Sequence, residues 1–205
     1  MIKRVIFDID NTLLEPNYSQ MPIFLKKYST DYNFINGMHS ILSEYEKSFK
    51  RYTKKDLLDH LNQYTNSPLN EEFLTNLFEY NKSLPEQDME EVDDVLTYLK
   101  QKYELVVLSN WFKDVQISKL KKLDILKYFD EIYAGDEFLK PYPESYAWAI
   151  GNHRPEECIM IGDSLEMDVI GPIKNGLQAI YYTNGKDETH KYPQIKKLSD
   201  LKKIL

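Results

Sequence analysis

The sequence predicts an α/β protein, with a parallel sheet that is covered by helices on both faces and interrupted by a helical insertion. Five short apolar runs rich in Val, Ile and Tyr have the length of buried strands, and amphipathic segments separate the later four. Between the first and second runs, helical periodicity continues from about residue 15 to about residue 85 without a clear strand pattern. Strands that alternate with helices favour one parallel sheet.

The strands are predicted, in chain order, at Ile2–Phe7, Leu105–Leu108, Glu131–Ala134, Cys158–Ile161 and Gln178–Tyr182. Apolar positions three or four residues apart predict helices at Met89–Lys102, Val115–Leu123, Ser145–Gly151 and from Asp163 to Lys174. Asn175-Gly176 predicts a left-handed end to the last of these, and Pro172 predicts a kink or a second helix within it. A surface loop and a short Lys-rich helix are expected after Thr183.

The insertion contains four helical patterns separated by turn-prone stretches such as Asn66-Ser67-Pro68. They are predicted at Met21–Tyr28, Met38–Tyr52, Lys54–Tyr64 and Asn70–Tyr80. We therefore expect residues 1–14 and 86–205 to form the sheet-containing core, and residues 15–85 to form a separate helical unit.

The composition excludes several classes of protein. The formal net charge is −7, which argues against a nucleic-acid binder that works by neutralising phosphates, although a small phosphorylated substrate remains compatible. Cys158 is the only cysteine, so an intrachain disulfide or a cysteine zinc site is not possible. The first apolar run is too short for a secretory signal, and no run reaches the length of a membrane span. We therefore expect a cytoplasmic protein.

Two acidic residues, Asp8 and Asp10, follow the apolar run Val5-Ile6-Phe7 directly. The alternation of a strand directs both carboxylates to the same side. Two carboxylates at the end of a buried strand can bind a divalent cation, and they can act as nucleophile and as acid/base.

Further polar motifs follow the later predicted strands. In order, they are Ser109-Asn110, Lys140-Pro141, and Gly162-Asp163-Ser164 with Asp168. Open parallel sheets place their sites at the carboxyl ends of the strands, so we expect these side chains to meet there.

These motifs resemble those of the haloacid dehalogenase-like (HAD) hydrolase superfamily, in the same order. Asp8-Ile9-Asp10-Asn11-Thr12-Leu13 is similar to its first motif, although many relatives have glycine where this chain has Asn11. Ser109 matches the second motif, Lys140 the third, and Asp163 with Asp168 the fourth. The resemblance implies a Rossmann-like core, and the insertion looks like a helical cap of the C1 type.

The chemistry of these residue types agrees with the resemblance. The Asp8 carboxylate can attack phosphorus, while Asp10 can protonate the leaving oxygen and then deprotonate water. Thr12, Ser109 and Asn110 are expected to bind the phosphoryl oxygens, although Thr12 and Ser109 could instead cap local turns. Lys140 can keep Asp8 ionised and offset phosphoryl charge.

The resemblance also implies a magnesium ion. An oxygen-only shell is expected from Asp8, Asp163 and the Asp10 carbonyl, together with phosphate and water. Asp168 is expected to orient Lys140 or a metal-bound water, or else to be an ordinary helix acid.

The function expected is a Mg²⁺-dependent phosphatase that acts on a small phosphorylated metabolite. Asp10 argues against a dehalogenase, because the family's dehalogenases lack this second acid. A sugar phosphomutase and a non-catalytic protein that binds a phosphorylated ligand stay open as alternatives, and the substrate and the oligomeric state are left open as well.

Trp111 and Phe112 are expected either to line the site entrance or to pack in the core. His39, His60, His153 and His190 show no metal-ligand spacing.

Overall fold

A computed structural model describes residues 1–84, 86–88, 91–186 and 191–205, with only the backbone described for 86–88. His190, the first residue of the predicted helix Met89–Lys102 and the last residue of the predicted insertion lie outside these ranges.

The first half of the chain starts with a strand and continues mainly as helices. The segments are β1 (Arg4–Phe7), β2 (Leu14–Pro16), α1 (Met21–Leu25), α2 (Tyr32–Ser48), α3 (Lys54–Leu61), α4 (Glu71–Ser83) and β3 (Glu86–Asp88). Side chains define two of the helix starts, since Thr53 Oγ1 accepts from Asp56 N at 3.0 Å and Asn70 Oδ1 accepts from Phe73 N at 3.1 Å.

The second half alternates between helices and strands. The segments are α5 (Val92–Lys100), β4 (Glu104–Leu108), α6 (Lys113–Lys122), β5 (Glu131–Tyr133), α7 (Pro143–Ile150), β6 (Cys158–Gly162), a π-helix (Leu165–Ile170), α8 (Gly171–Lys174), β7 (Gln178–Tyr182), β8 (Gln194–Ile195) and α9 (Leu201–Ile204). Pro172 lies in the first turn of α8, and Gly176 is left-handed with a φ of 86°. Of the two alternatives predicted for Pro172, a kink or a second helix, the structure has the second helix, α8.

Six of the described strands form one parallel sheet in the order β5-β4-β1-β6-β7-β8. This confirms the α/β prediction. The sequence did not predict β8, since two residues are too few for a pattern, nor the antiparallel pair β2 and β3. Pro16 and the acidic residues of β3 are unfavourable in strands, so tertiary pairing determines this short ribbon.

Helices cover both faces of the sheet. Val5 and Phe7 of β1 pack in one apolar cluster with Val95 and Leu99 of α5, whereas Ile6 packs on the opposite face in a cluster that contains Tyr146 of α7. Alternate residues of the central strand are thus buried on opposite faces, which explains why β1 reads as a continuous apolar run.

The four helices between β2 and β3 enclose a further apolar cluster that includes Phe34, Tyr45 and Phe73. Phe112, which follows β4, and Leu139, which follows β5, belong to the same cluster. The helices therefore pack over the carboxyl ends of strands. The division at residues 15 and 85 stays a prediction. No helix in the described parts of the chain is long and apolar enough to cross a membrane.

Candidate active site

Asp8 and Asp163 come together because their strands are neighbours. Phe7 of β1 lies opposite Ile161 of β6, and the backbone N–H of Asp8 donates to the carbonyl of Ile161 at 3.0 Å. Asp8 is buried and Asp163 is half-buried, at the carboxyl ends of the two strands. The sheet register alone therefore brings together residues that are far apart in sequence.

Lys140 lies between two carboxylates. Its Nζ is 2.8 Å from Asp8 Oδ1 and 2.6 Å from Asp168 Oδ1, and the lysine is buried. Burial alone would lower the pKa of Lys140, but Asp168 and Asp8 outweigh it and raise that pKa above its usual value. Lys140 is therefore a cation at neutral pH, and it favours the ionised form of Asp8.

Three carboxylates form a compact acidic group among the described residues. Asp8, Asp163 and Asp168 each offer an oxygen that lies within 4.8 Å of the other two. Burial raises the pKa of Asp8; Lys140 lowers it in part, and the neighbouring carboxylates raise it further. Burial and the Asp168 charge likewise raise the pKa of Asp163. Three crowded oxygen ligands suit a hard divalent cation such as Mg²⁺.

The position of Asp168 depends on Gly162 and on the start of the π-helix. Asp168 Oδ2 accepts from the backbone N–H of Ser164 at 3.0 Å, and Ser164 Oγ accepts from Met167 N at 3.3 Å. A Cβ atom at Gly162 would lie 2.3 Å from Asp168 Oδ2. Glycine at the end of β6 thus leaves the space that Asp168 occupies beside Lys140.

Asn110 contacts the backbone of Lys140 with both atoms of its amide. Its Oδ1 accepts from Lys140 N at 2.9 Å, and its Nδ2 donates to the Lys140 carbonyl at 3.1 Å. Asn110 therefore fixes the Lys140 segment, and its predicted contact with phosphate stays a prediction.

The two hydroxyls differ in their contacts. Ser109 Oγ accepts from Gln116 Nε2 at 2.7 Å and donates to the Asn110 carbonyl at 3.1 Å. Thr12 is fully buried, and its Oγ1 has no hydrogen-bond partner among the residues that the structure describes. A buried hydroxyl without a protein partner suits a ligand oxygen. Asn11, just before it, is left-handed with a φ of 61°, which asparagine tolerates.

Asp10 is turned toward α6, and its carboxylate is not part of the acidic group. Lys119 Nζ is 2.6 Å from Asp10 Oδ1, and Gln116 Nε2 donates to Asp10 Oδ2 at 3.0 Å. Lys119 and Gln116 are both buried. Sequence reasoning missed these two residues, although a signal was present: they are polar residues on the same helix face as buried Val115 and Leu120.

The remaining candidates have separate environments. Phe112 is buried in the apolar cluster of the four helices, whereas Trp111 lines a cavity among them. His60 is buried with Nε2 2.9 Å from the Ile41 carbonyl, and His153 Nε2 lies 2.7 Å from Glu104 Oε2. His39 lines the same cavity as Trp111.

Two curated relatives match the chain to different extents. Human N-acylneuraminate-9-phosphatase is 31% identical over 99 residues, which is 46% of this chain and 40% of that protein. The chain thus spans less than half the length of this relative. Pyrophosphatase PpaX of Bacillus thuringiensis is 28% identical over 100% of this chain and 96% of its own length.

Among solved structures, an HAD phosphatase from Thermococcus onnurineus is similar with a TM-score of 0.66 and 26% identity, covering 99% of this chain and 97% of that one. A model of the haloacid dehalogenase-like hydrolase family matches residues 5–182, which include all four motif regions at the ends of β1, β4 and β6 and before α7. The protein belongs to the haloacid dehalogenase-like hydrolase family.

Proposed function

We propose that this hydrolase is a Mg²⁺-dependent phosphatase that acts on a small phosphomonoester through an aspartyl-phosphate intermediate. One observation carries the proposal: buried Asp8 is paired with Lys140 and lies beside two further carboxylates at the carboxyl end of the sheet. Relatives that are named phosphatase or pyrophosphatase support a phosphorylated substrate.

Asp8 is the nucleophile in this proposal. One of its carboxylate oxygens forms a bond to phosphorus while the bond from phosphorus to the alkoxide oxygen breaks. Lys140 favours the ionised form of Asp8 before the attack and offsets negative charge on the phosphoryl group during it. Asp168 and Asn110 keep Lys140 in place through its side chain and its backbone respectively.

Asp10 serves as acid and then as base. It donates a proton to the leaving alkoxide and later takes a proton from the water that attacks the aspartyl phosphate. Lys119 and Gln116 contact both oxygens of its carboxylate, so they fix its orientation. They act through Asp10 and are positioning residues.

The phosphoryl oxygens are bound by Thr12, Ser109 and Asn110 in this scheme. The unpaired Thr12 hydroxyl supports its role directly. The Ser109 hydroxyl donates to a neighbouring carbonyl, and it can rotate to a phosphoryl oxygen while Gln116 still donates to it.

Asp8 and Asp163 would hold Mg²⁺ together with the Asp10 carbonyl, since the crowded carboxylate oxygens fit that ion. Once bound, the ion would supply positive charge that stabilises the phosphoryl group in the transition state. The helices α1–α4 would act as a C1 cap that opens for substrate and closes to exclude bulk water.

The proposal is tested with Asp8→Asn, which is nearly isosteric with the wild type. Phosphate release is measured across small phosphomonoesters, with Mg²⁺ and with EDTA. We expect release that depends on Mg²⁺ in the wild type and a loss of at least about a thousandfold in the variant, because an amide cannot attack phosphorus. Circular dichroism and urea unfolding check that the variant is folded.

Asp124→Asn is the matched control, because Asp124 is exposed and asparagine tolerates its positive φ of 57°. This control should retain wild-type activity. Full activity in Asp8→Asn would exclude Asp8 as the nucleophile. Transfer of phosphate to a second hydroxyl with little net release would show a mutase instead.

A further inference from the structure

A cavity of about 410 Å³ lies among α1, α2, α4 and the segment after β4. Met21, Ile35, Leu42, Leu77 and the Trp111 ring give it a mainly apolar wall. No lysine, arginine, aspartate or glutamate is among the described residues that line it. An anionic group placed here would lose its hydration without gaining a lysine or arginine partner.

One face of α2 lines this cavity and continues to Glu46. Ile35, His39 and Leu42 line the cavity, and Glu46 continues the same face one turn further along the helix. Glu46 Oε1 accepts from the Tyr52 hydroxyl at 2.9 Å.

Glu46 also lies close to the catalytic centre. Burial raises the pKa of Glu46, while the Tyr52 hydroxyl, the Asn110 side chain and the Lys140 charge lower it in part. Trp111 is next to Asn110 in the chain and lines the cavity itself. Glu46 contacts Tyr52, whose ring packs against the Trp111 ring with centroids 5.1 Å apart, so this carboxylate lies near both the catalytic residues and the cavity wall.

Trp111 lines the cavity with its ring, whereas its indole nitrogen is inaccessible. Its Nε1 is buried and has no hydrogen-bond partner among the described residues.

We infer that this cavity binds the leaving group of the phosphomonoester, and that Glu46 and the apolar walls select a leaving group that is uncharged and largely apolar. The inference rests on the proposed phosphatase function and specifies its substrate class. A substrate with a second phosphate or a carboxylate on its leaving group would meet Glu46 with no lysine or arginine in the cavity to neutralise it.

The first test compares two substrates that differ by one charge, benzyl phosphate and 4-carboxybenzyl phosphate, with the full chain and Mg²⁺. We expect kcat/KM to be higher for benzyl phosphate by about tenfold or more, because like charges repel strongly at a partly buried site. Inorganic pyrophosphate, whose leaving group is a phosphate, should be a similarly poor substrate.

Glu46→Gln removes the charge and preserves the shape of the side chain. It should bring the two kcat/KM values closer together, mainly through a lower KM for the carboxylated substrate. Glu44→Gln is the matched control, because Glu44 lies on the exposed side of the same helix. It should leave the ratio at its wild-type value.

Leu42→Trp tests whether the cavity itself is used. A larger side chain there should lower the ratio of kcat/KM for benzyl phosphate to that for acetyl phosphate, whose acyl group has only two carbons, by about tenfold. An unchanged ratio would overturn the assignment of the cavity.

Two results would overturn the selection by Glu46 without affecting the proposed phosphatase function. One is equal kcat/KM values for the two benzyl substrates, and the other is a ratio of these values in Glu46→Gln that is identical to that of the wild type. Absence of phosphate release from every compound, acetyl phosphate included, would overturn the proposed function and the inference together.

Discussion

Single side chains on α6 determine how Asp10 is oriented. Lys119 and Gln116 each contact one of its two oxygens, and Gln116 also contacts Ser109. A carboxylate that transfers a proton must be aligned with the leaving oxygen, so the loss of either contact should affect the chemical step more than substrate binding.

Lys119→Met should reduce kcat by about ten- to a hundredfold for benzyl phosphate, but much less for p-nitrophenyl phosphate, whose leaving group needs little protonation. Steady-state kinetics on both substrates measure this difference. Lys119→Arg should retain part of the kcat for benzyl phosphate that Lys119→Met loses. Lys121→Met, an exposed lysine on the same helix, is the control. Equal losses on both substrates would instead assign Lys119 a purely structural role.

The sequence could predict which residues follow the strands, because the parallel sheet brings strand ends together whatever lies between them. Asp8 and Asp163 meet for this reason, whereas the Lys140 segment is held by Asn110, which follows β4.

The sequence could not predict the contacts of Lys119 or Glu46. A polar residue on an amphipathic helix acquires its partners only after the helix has packed. Local periodicity predicts which face of a helix is buried, but not which residues that face contacts.

Among the secondary structures, the turn from β6 into the π-helix positions Asp168 in the candidate site. Gly162 lets the backbone approach Asp168, and the Tyr146 hydroxyl of α7 donates to the Met167 carbonyl at 2.6 Å. The sequence predicted a helix after Asp163, but it could not predict a π-helical start, because this geometry depends on contacts with α7 and Lys140.

Gly162→Ala should displace Asp168 and weaken its contact with Lys140, since the new methyl group would overlap the carboxylate. We expect kcat to fall at least about tenfold and the free energy of unfolding to fall by about 2 kcal/mol. Urea unfolding and kinetics measure the two effects.

Gly37→Ala within α2 is the control, because the nearest atom to its added Cβ would be Ile41 Cδ1 at 4.0 Å. This variant should be more stable than the wild type by about 0.5–1 kcal/mol, through helix propensity alone. A Gly162→Ala variant with wild-type activity would show that the Asp168 position is not critical.

For the protein as a whole, a buried ion-pair network and the proposed nucleophile lie at opposite ends of β1. Asp8 follows its carboxyl end, whereas Arg4 is its first residue and is buried. Arg4 Nη2 lies 2.6 Å from Glu104 Oε1 on β4 and 2.8 Å from Glu131 Oε2 on β5, and Arg4 Nη1 donates to the Ala149 carbonyl at 2.7 Å. One guanidinium thus joins three strands and α7.

Arg4→Met should lower the free energy of unfolding by about 2 kcal/mol, because the buried Ala149 carbonyl loses its guanidinium donor and two partly exposed carboxylates lose their ion pairs with it. The kcat measured well below the melting temperature should stay near the wild-type value. Arg154→Met, in which an exposed guanidinium is lost, should change stability by less than about 0.5 kcal/mol. A similar change in the free energy of unfolding of both variants would show that the buried contacts of Arg4 contribute no more to stability than the exposed contacts of Arg154.

The same contacts predict how stability depends on pH. Arg4 and His153 hold the pKa of Glu104 below its ordinary value of 4.5. A carboxyl group with a lowered pKa stabilises the fold above its unfolded-state pKa and loses that contribution as the pH falls. Acid unfolding of Arg4→Met should therefore show a weaker dependence on pH below about 4.5 than that of the wild type.

The central position of β1 also has a consequence for how the chain folds. Phe7 pairs with Val107 on one side and Ile161 on the other, partners that are about 100 and about 150 residues later in the chain. During synthesis, β1 is made before both of its partner strands, so it stays unpaired until β4 and β6 have left the ribosome. Its apolar run Val5-Ile6-Phe7 is then available for wrong pairings, so aggregation during refolding should depend strongly on this short segment.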